Sequence, residues 1–211
     1  MAQNGLLITF EGGEGAGKSL HIRAVKQKLE DLGRDVVVVR EPGGTAIGEA
    51  IRAILLSREN SEMSPRAELL LYEAARAQIV DEVIRPALEK GAVVLCDRFY
   101  DSSVAYQGYG RGLDRDMISV LNMIATDDLT PDATLWLDVP VDVGLHRARH
   151  EGEPDRLESE DRVFHEAVRA GFASIADLEP RRIFKIDSTQ APDEVYGDIE
   201  QVIDEVLSRV R

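Results

Sequence analysis

The chain is short of several things at once. It holds one cysteine, Cys96, in 211 residues, which excludes an intramolecular disulfide. That cysteine and the four histidines fall into no zinc-ligand spacing. Positive charge is scarce: 25 Lys and Arg stand against 39 Asp and Glu, a formal net charge of −14. Such a balance argues against a general nucleic-acid or anionic-membrane binder, because both reward a basic surface. No apolar run approaches the roughly 20 residues a membrane-spanning helix needs. Residues 5–10 are apolar but too short for a signal region, and no basic start precedes them. Internal repeats, low-complexity tracts and domain-separating linkers are missing as well. What is left, with 44% hydrophobic residues, suits one domain spanning 1–211 with a full core, expected in the cytoplasm.

Apolar strand-like runs at 6–10, 36–40, 92–96, 133–138 and 183–187 alternate with amphipathic helical stretches. That alternation predicts an α/β fold, a parallel sheet covered on both faces. Helices are expected from Lys18, from Thr45 and from Ser64-Pro65, the last running to Lys90-Gly91 with a kink at Pro86. Further helices are expected over 102–109, 114–126, 141–149, 160–178 and 192–209. The segment 150–155, charged and broken by Gly152 and Pro154, reads equally as a solvated connector or a closing lid.

Directly after the first apolar run stands Gly12-Gly13-Glu14-Gly15-Ala16-Gly17-Lys18-Ser19. This is G-x-x-x-x-G-K-[ST] between a strand and a helix, the context in which backbone N–H groups and a helix N-terminus cradle phosphates. Lys18 would reach the β- and γ-phosphates of a nucleoside triphosphate, and the Ser19 hydroxyl would ligate Mg²⁺. No guanine-reading N-K-x-D begins at any of Asn4, Asn60 or Asn122, so a GTPase is disfavoured. The run 92–96 ends in Asp97-Arg98, and ligands of open parallel sheets sit beyond the carboxyl ends of strands. Asp97 there is suited to Mg²⁺ or its waters and Arg98 to a second phosphate; a plain strand-end ion pair is the alternative. Tyr72 and Arg76 lie four apart on one helix, as do Ser103 and Gln107. These would supply an aromatic plate and edge-reading groups for a base, although spacing alone is better met by an ordinary helix with a core-facing Tyr and a solvated Arg.

The residues 10–19, Arg40-Glu41-Pro42-Gly43-Gly44-Thr45, and the run from Asp97-Arg98 to Tyr106-Gln107-Gly108 resemble the bacterial thymidylate kinase family. The likeness continues through 72–78, Leu137-Asp138-Val139-Pro140, and His146-Arg147-Ala148-Arg149 to Asp155-Arg156, nearly the whole chain. It implies a nucleoside-monophosphate-kinase (P-loop NTPase) fold with a five-stranded parallel sheet, a lid at about 147–160, and transfer of a phosphoryl group from ATP to dTMP with Mg²⁺. It also implies a homodimer. By resemblance, Glu14 contacts the sugar 3′-hydroxyl and helps organise Mg²⁺, while Arg52 and Arg98 hold the dTMP phosphate. Tyr72 stacks on thymine, Arg76, Ser103 and Gln107 meet its edge, and Tyr106 crowds the place of a 2′-hydroxyl. Ala16 stands where another subclass carries a loop arginine, so the catalytic positive charge is expected from Arg147, Arg149 and above all Arg156. Two departures are Leu20, where the family usually has Thr, and Tyr72, where Phe is common. A kinase for a different small acceptor is the runner-up reading.

Overall fold

The computed structural model describes residues 5–148 and 155–209. A five-stranded, all-parallel sheet runs in the order β2-β3-β1-β4-β5, with β1 (Leu6–Glu11), β2 (Val36–Arg40), β3 (Val93–Asp97), β4 (Ala133–Asp138) and β5 (Ile183–Asp187). Leu6, Ile8 and Phe10 point to one face, packed with Val25 and Leu29 of α1 (Lys18–Asp31) and Ile199 and Ile203 of α9 (Pro192–Ser208). Leu7, Val94 and Cys96 face the other side, against Ile79 at the end of α3 (Pro65–Ile79). This period-two division, with both sets fully buried, is why the strands read as continuous apolar runs.

Helix starts follow the chemistry of their capping residues. The Thr45 hydroxyl accepts from the Gly48 N–H to begin α2 (Ala46–Leu56), and Ser64 accepts from Ala67 N–H before Pro65 in α3. Asp114 caps α6 (Arg115–Thr126) and Asp161 caps α8 (Arg162–Leu178) in the same way. A short α7 (Val141–Ala148) follows β4.

Two expected helices are reshaped. The helix expected from Ser64 to Lys90 breaks before Pro86: α3 ends at Ile79, a π turn covers Val80–Ile84, and α4 (Arg85–Glu89) restarts. Proline lacks an N–H and suits only the first turn of a helix, so the widened register delivers it to a new helix start. The helix expected over 102–109 is α5 (Tyr100–Ser103) followed by a π turn over Val104–Gly110. Such bulges recur at functional sites.

Behind the sheet lies a buried polar knot. Arg182, preceding β5, donates Nη1 and Nη2 to the Asp101 carboxylate at 2.7 and 2.8 Å, and Nη1 also meets Thr134. Asp101 is 2% exposed. Removing Arg182 would strand this carboxylate, a change that typically costs about 3–5 kcal/mol. Arg182→Ala should therefore lower unfolding stability by that order in urea titration; a loss within about 0.5 kcal/mol would show that the pair is dispensable.

Candidate active site

The central strands β1 and β3 are parallel neighbours, with Phe10 in register with Asp97, so the loops that follow them open side by side. The loop after β1 is pressed into a narrow place. Gly12 has φ 137° and Gly15 φ 63°. A Cβ on the first would collide with the Leu137 carbonyl, and one on the second with the Gly144 carbonyl. Only glycine meets both the backbone angle and the space. From the β5 side, the Ser188 hydroxyl donates to the Ala16 carbonyl at 2.7 Å. Lys18 then folds back, its Nζ donating to the carbonyls of Gly12 and Gly13 at 3.3 and 3.1 Å. A cleft of about 1190 Å³ opens here, lined by Glu14 through Leu20 with Arg23, Arg40, Arg52, Asp97 and Arg98. The Ser19 hydroxyl donates to Asp97 Oδ2 at 3.3 Å at this cleft.

Arg98 adopts φ 68°, a left-handed angle that costs a side-chain-bearing residue on the order of 1 kcal/mol. The turn brings its guanidinium across to the first loop: Nη1 donates to the Gly12 carbonyl at 2.8 Å and Nη2 to Glu14 Oε1 at 2.9 Å. The Tyr106 hydroxyl donates to the same Glu14 oxygen at 2.9 Å, and Arg98 lies over the Tyr106 ring at 5.0 Å. Burial opposes ionisation of Glu14, but Arg98 and Lys18 beside it hold its carboxyl below its ordinary value. Glu14, expected also among the metal groups, is engaged by Arg98 and Tyr106 and lines the same cleft as the Ser19–Asp97 pair.

A second cavity of about 590 Å³ adjoins the cleft. It gathers Arg52, Tyr72, Arg98, Ser103, Tyr106 and Gln107, with Pro42, Leu56 and Leu157 as apolar wall. Glu14, Glu41, Arg52 and Arg98 line both spaces and so form the passage between them. Arg76 does not line the cavity. It is 1% exposed and holds Glu41 through Nε at 2.8 Å and Glu73, Ser103 and Asn122 through Nη1 at 2.7, 2.9 and 3.0 Å. Arg76 supplies a positive charge to these two buried carboxyl groups from beneath Ser103.

The expected lid charge is placed differently. Arg156 is buried, with Nε on the Leu55 carbonyl at 2.8 Å and Nη1 on Glu68 at 2.6 Å. It does not line the phosphate cleft; it neutralises Glu68, which is 0% exposed, and pins residues 155–157 against α2. Arg147 is nearer the loop: its Cβ packs beside Gly15, and its Nη1 donates to the Ser188 carbonyl at 3.0 Å. Arg149 and the rest of 149–154 lie outside the described residues. Leu20 is exposed at the cleft. Sequence reasoning missed Arg23 and Arg40 on the cleft and Asp155 and Glu158 on the cavity. Arg40 had a signal, since it ends β2 beside the other strand ends; Arg23 and Glu158 had none.

A glycine loop after the first strand, an acid after its neighbour and a separate acceptor cavity across an arginine define a P-loop phosphotransferase. Comparison with known proteins narrows this class. The family model for thymidylate kinase matches residues 10–199. A thymidylate kinase of Geobacter sulfurreducens is 52% identical over 212 residues, covering 98% of each chain. One of Exiguobacterium sp. is 49% identical over 204 residues, 97% of this chain and 93% of that one. The crystal structure of thymidylate kinase from Ehrlichia chaffeensis aligns with a TM-score of 0.78 at 32% identity, over 95% of this chain and 99% of that one. The chain belongs to the thymidylate kinase family.

Two buried carboxyls beside the site make stability depend on pH. Glu11 accepts from the Phe99 N–H at 2.7 Å and the Ser102 hydroxyl at 2.6 Å, and burial followed by nearby Asp101 pushes it up to about 7. Burial likewise pushes Glu41 to about 7, against the pull of Arg76. The folded state therefore keeps protons that the unfolded chain releases near 4.5. Stability from these groups is full below that value and is lost as pH rises toward 7. Carboxyls held low, such as Glu68, act only below this window. Denaturation midpoints should fall between about pH 4.5 and 7, and the double variant Glu11→Gln, Glu41→Gln should flatten the slope. An unchanged slope would refute the assignment.

Proposed function

We propose that this chain transfers the γ-phosphoryl group of ATP to dTMP, giving ADP and dTDP for dTTP synthesis. One observation carries the reading: Arg52 and Arg98 line both the phosphate cleft and the acceptor cavity. Two anions entering from opposite sides meet at those guanidiniums. Phosphoryl transfer asks for in-line placement and charge neutralisation more than for covalent chemistry, and the acceptor phosphate oxygen needs no strong base. The loop residues Gly12, Gly13, Gly15, Ala16 and Gly17 offer backbone N–H groups to the ATP phosphates, with Lys18 turning from the loop carbonyls to the transferring group. Arg98 and Arg52 hold the dTMP phosphate. Glu14, fixed by Arg98 and Tyr106, accepts from the sugar hydroxyl. Tyr72 stacks on the base, Ser103 and Gln107 read its edge, and Arg76 acts through its hydrogen bond to Ser103. Tyr106 fills the place of a 2′-hydroxyl. Arg147 and Arg149 remain the candidates for charge near ATP from the lid.

The Ser19–Asp97 pair fits Mg²⁺: two hard oxygens leave positions for water and phosphate oxygens, the coordination this ion prefers. Bound there, Mg²⁺ would neutralise phosphate charge. A homodimer is supported by exposed apolar side chains on one contiguous helical layer, with Ile47 and Ile54 on α2, Leu70 on α3, and Val120, Met123 and Ile124 on α6. Among the described residues no helix is long and apolar enough to cross a membrane. The acidity disfavours nucleic acid as a partner.

Lys18→Ala should reduce dTMP-dependent ADP release by about 10²-fold or more, the usual effect of losing one such charge. Turnover within about tenfold of wild type would contradict the loop's role. Arg98→Ala should raise KM for dTMP and lower kcat while leaving KM for ATP nearly unchanged, because misplacing the acceptor spoils the in-line approach. Equal losses for both substrates would place Arg98 on the donor instead. Run beside these, a panel of dTMP, dUMP, dCMP, dGMP and UMP tests the substrate; a better acceptor than dTMP overturns the assignment.

A further inference from the structure

Glu68 does not line the acceptor cavity, yet it holds the cavity's base-facing amide. It sits on α3 with 0% exposure, and its two oxygens take four contacts. Oε1 accepts from Gln107 Nε2 at 2.9 Å and Arg111 Nε at 3.2 Å. Oε2 accepts from Arg111 Nη2 at 3.1 Å and pairs with Arg156 Nη1 at 2.6 Å. Burial opposes its ionisation, but Arg111, Gln107 and Arg156 together hold its carboxyl below the ordinary value. An ionised carboxylate is an acceptor only.

That restriction passes to Gln107. A side-chain amide has a donor end and an acceptor end, and either can be turned toward a ligand. Here the donor end must face Glu68. Gln107 lines the cavity, and no described residue donates to its Oε1. We propose that Glu68 is a specificity-positioning residue: by holding the Gln107 amide nitrogen it aims the carbonyl Oε1 at the base, so that the cavity accepts a base with N3–H, as in thymine, and opposes the bare N3 of cytosine. The inference rests on the proposed placement of Gln107 at the base edge. The same carboxylate anchors Arg156, whose neighbours Asp155, Leu157 and Glu158 form part of the cavity wall, so amide orientation and wall position share one anchor.

The test is Glu68→Gln. Its neutral amide is isosteric, and with its oxygen kept by the two arginines its nitrogen would face Gln107, turning that amide's donor end to the base. The ratio of kcat/KM for dTMP to that for dCMP should fall about tenfold or more, the cost of one mismatched buried hydrogen bond. The fall should come through a higher KM for dTMP and a lower one for dCMP, with KM for ATP unchanged. A purely structural role for Glu68 would lower stability or kcat and leave the ratio alone. Gln107→Leu is measured in parallel. If Gln107→Leu leaves the ratio unchanged, the base-edge placement of Gln107 fails and the inference falls with it. If Gln107→Leu narrows the ratio and folded Glu68→Gln does not, the role of Glu68 alone is overturned. Should Glu68→Gln not fold, the readout is the hydrogen-bond scalar coupling between the Gln107 amide nitrogen and the Glu68 carboxylate carbon in the wild-type dTMP complex. Its presence supports the fixed amide, and its absence overturns it.

Discussion

The guanidinium of Arg98 joins the two loops from which the site is made. It leaves the end of β3 in a left-handed backbone turn, crosses to the loop after β1, and binds the Gly12 carbonyl and the Glu14 carboxylate. Parallel strands bring their carboxyl ends together, but adjacency alone does not set how the cleft and the second cavity meet. The Arg98–Glu14–Tyr106 chain of contacts does, because each member is held by the next. Both cavities share Arg98 and Glu14, and so the passage between them is lined by a group fixed in place without a ligand.

The same device recurs at and around the passage. Arg76 lies among Glu41 and Glu73, Arg182 between Asp101 and Glu179, and Glu68 among Arg111 and Arg156. Each cluster carries charges that could not be buried singly. Their multiple partners also fix orientation, which a layer of apolar side chains would leave free. Ser103 and Gln107, which face the cavity, are each held by one of these clusters. Side chains held in this way present their polar atoms to the cavity in a fixed orientation.

These clusters also explain how an acidic chain keeps a basic site. Several of its 25 basic residues are consumed internally by carboxylates, while Lys18, Arg23, Arg40, Arg52 and Arg98 converge on the cleft. The remaining acidity is spread over exposed helices such as α9, where Glu200 and Asp204 pair with Lys28 across to α1. Net charge therefore says little about the local field that a phosphate meets.

Strand order and the π turns at 80–84 and 104–110 aside, the fold was legible in the residues. Five apolar runs became five strands, because buried parallel strands need apolar side chains on both faces, and Thr45, Ser64 and Asp114 marked where helices begin. The glycine loop was legible for the same reason: its backbone angles and close contacts admit one residue type at Gly12 and Gly15. Arginines were not legible in this way. Arg76, Arg98, Arg147 and Arg156 are chemically alike, and their long side chains reach partners far along the chain. Arg98 was placed at a strand end by its position after the run 92–96, but only tertiary structure decided that Arg76 stays beneath the cavity and that Arg156 is spent on a buried carboxylate. Local patterns determine backbone conformation because their interactions are between near neighbours. The partner of a charged side chain is chosen by which buried opposite charge the finished fold brings within reach.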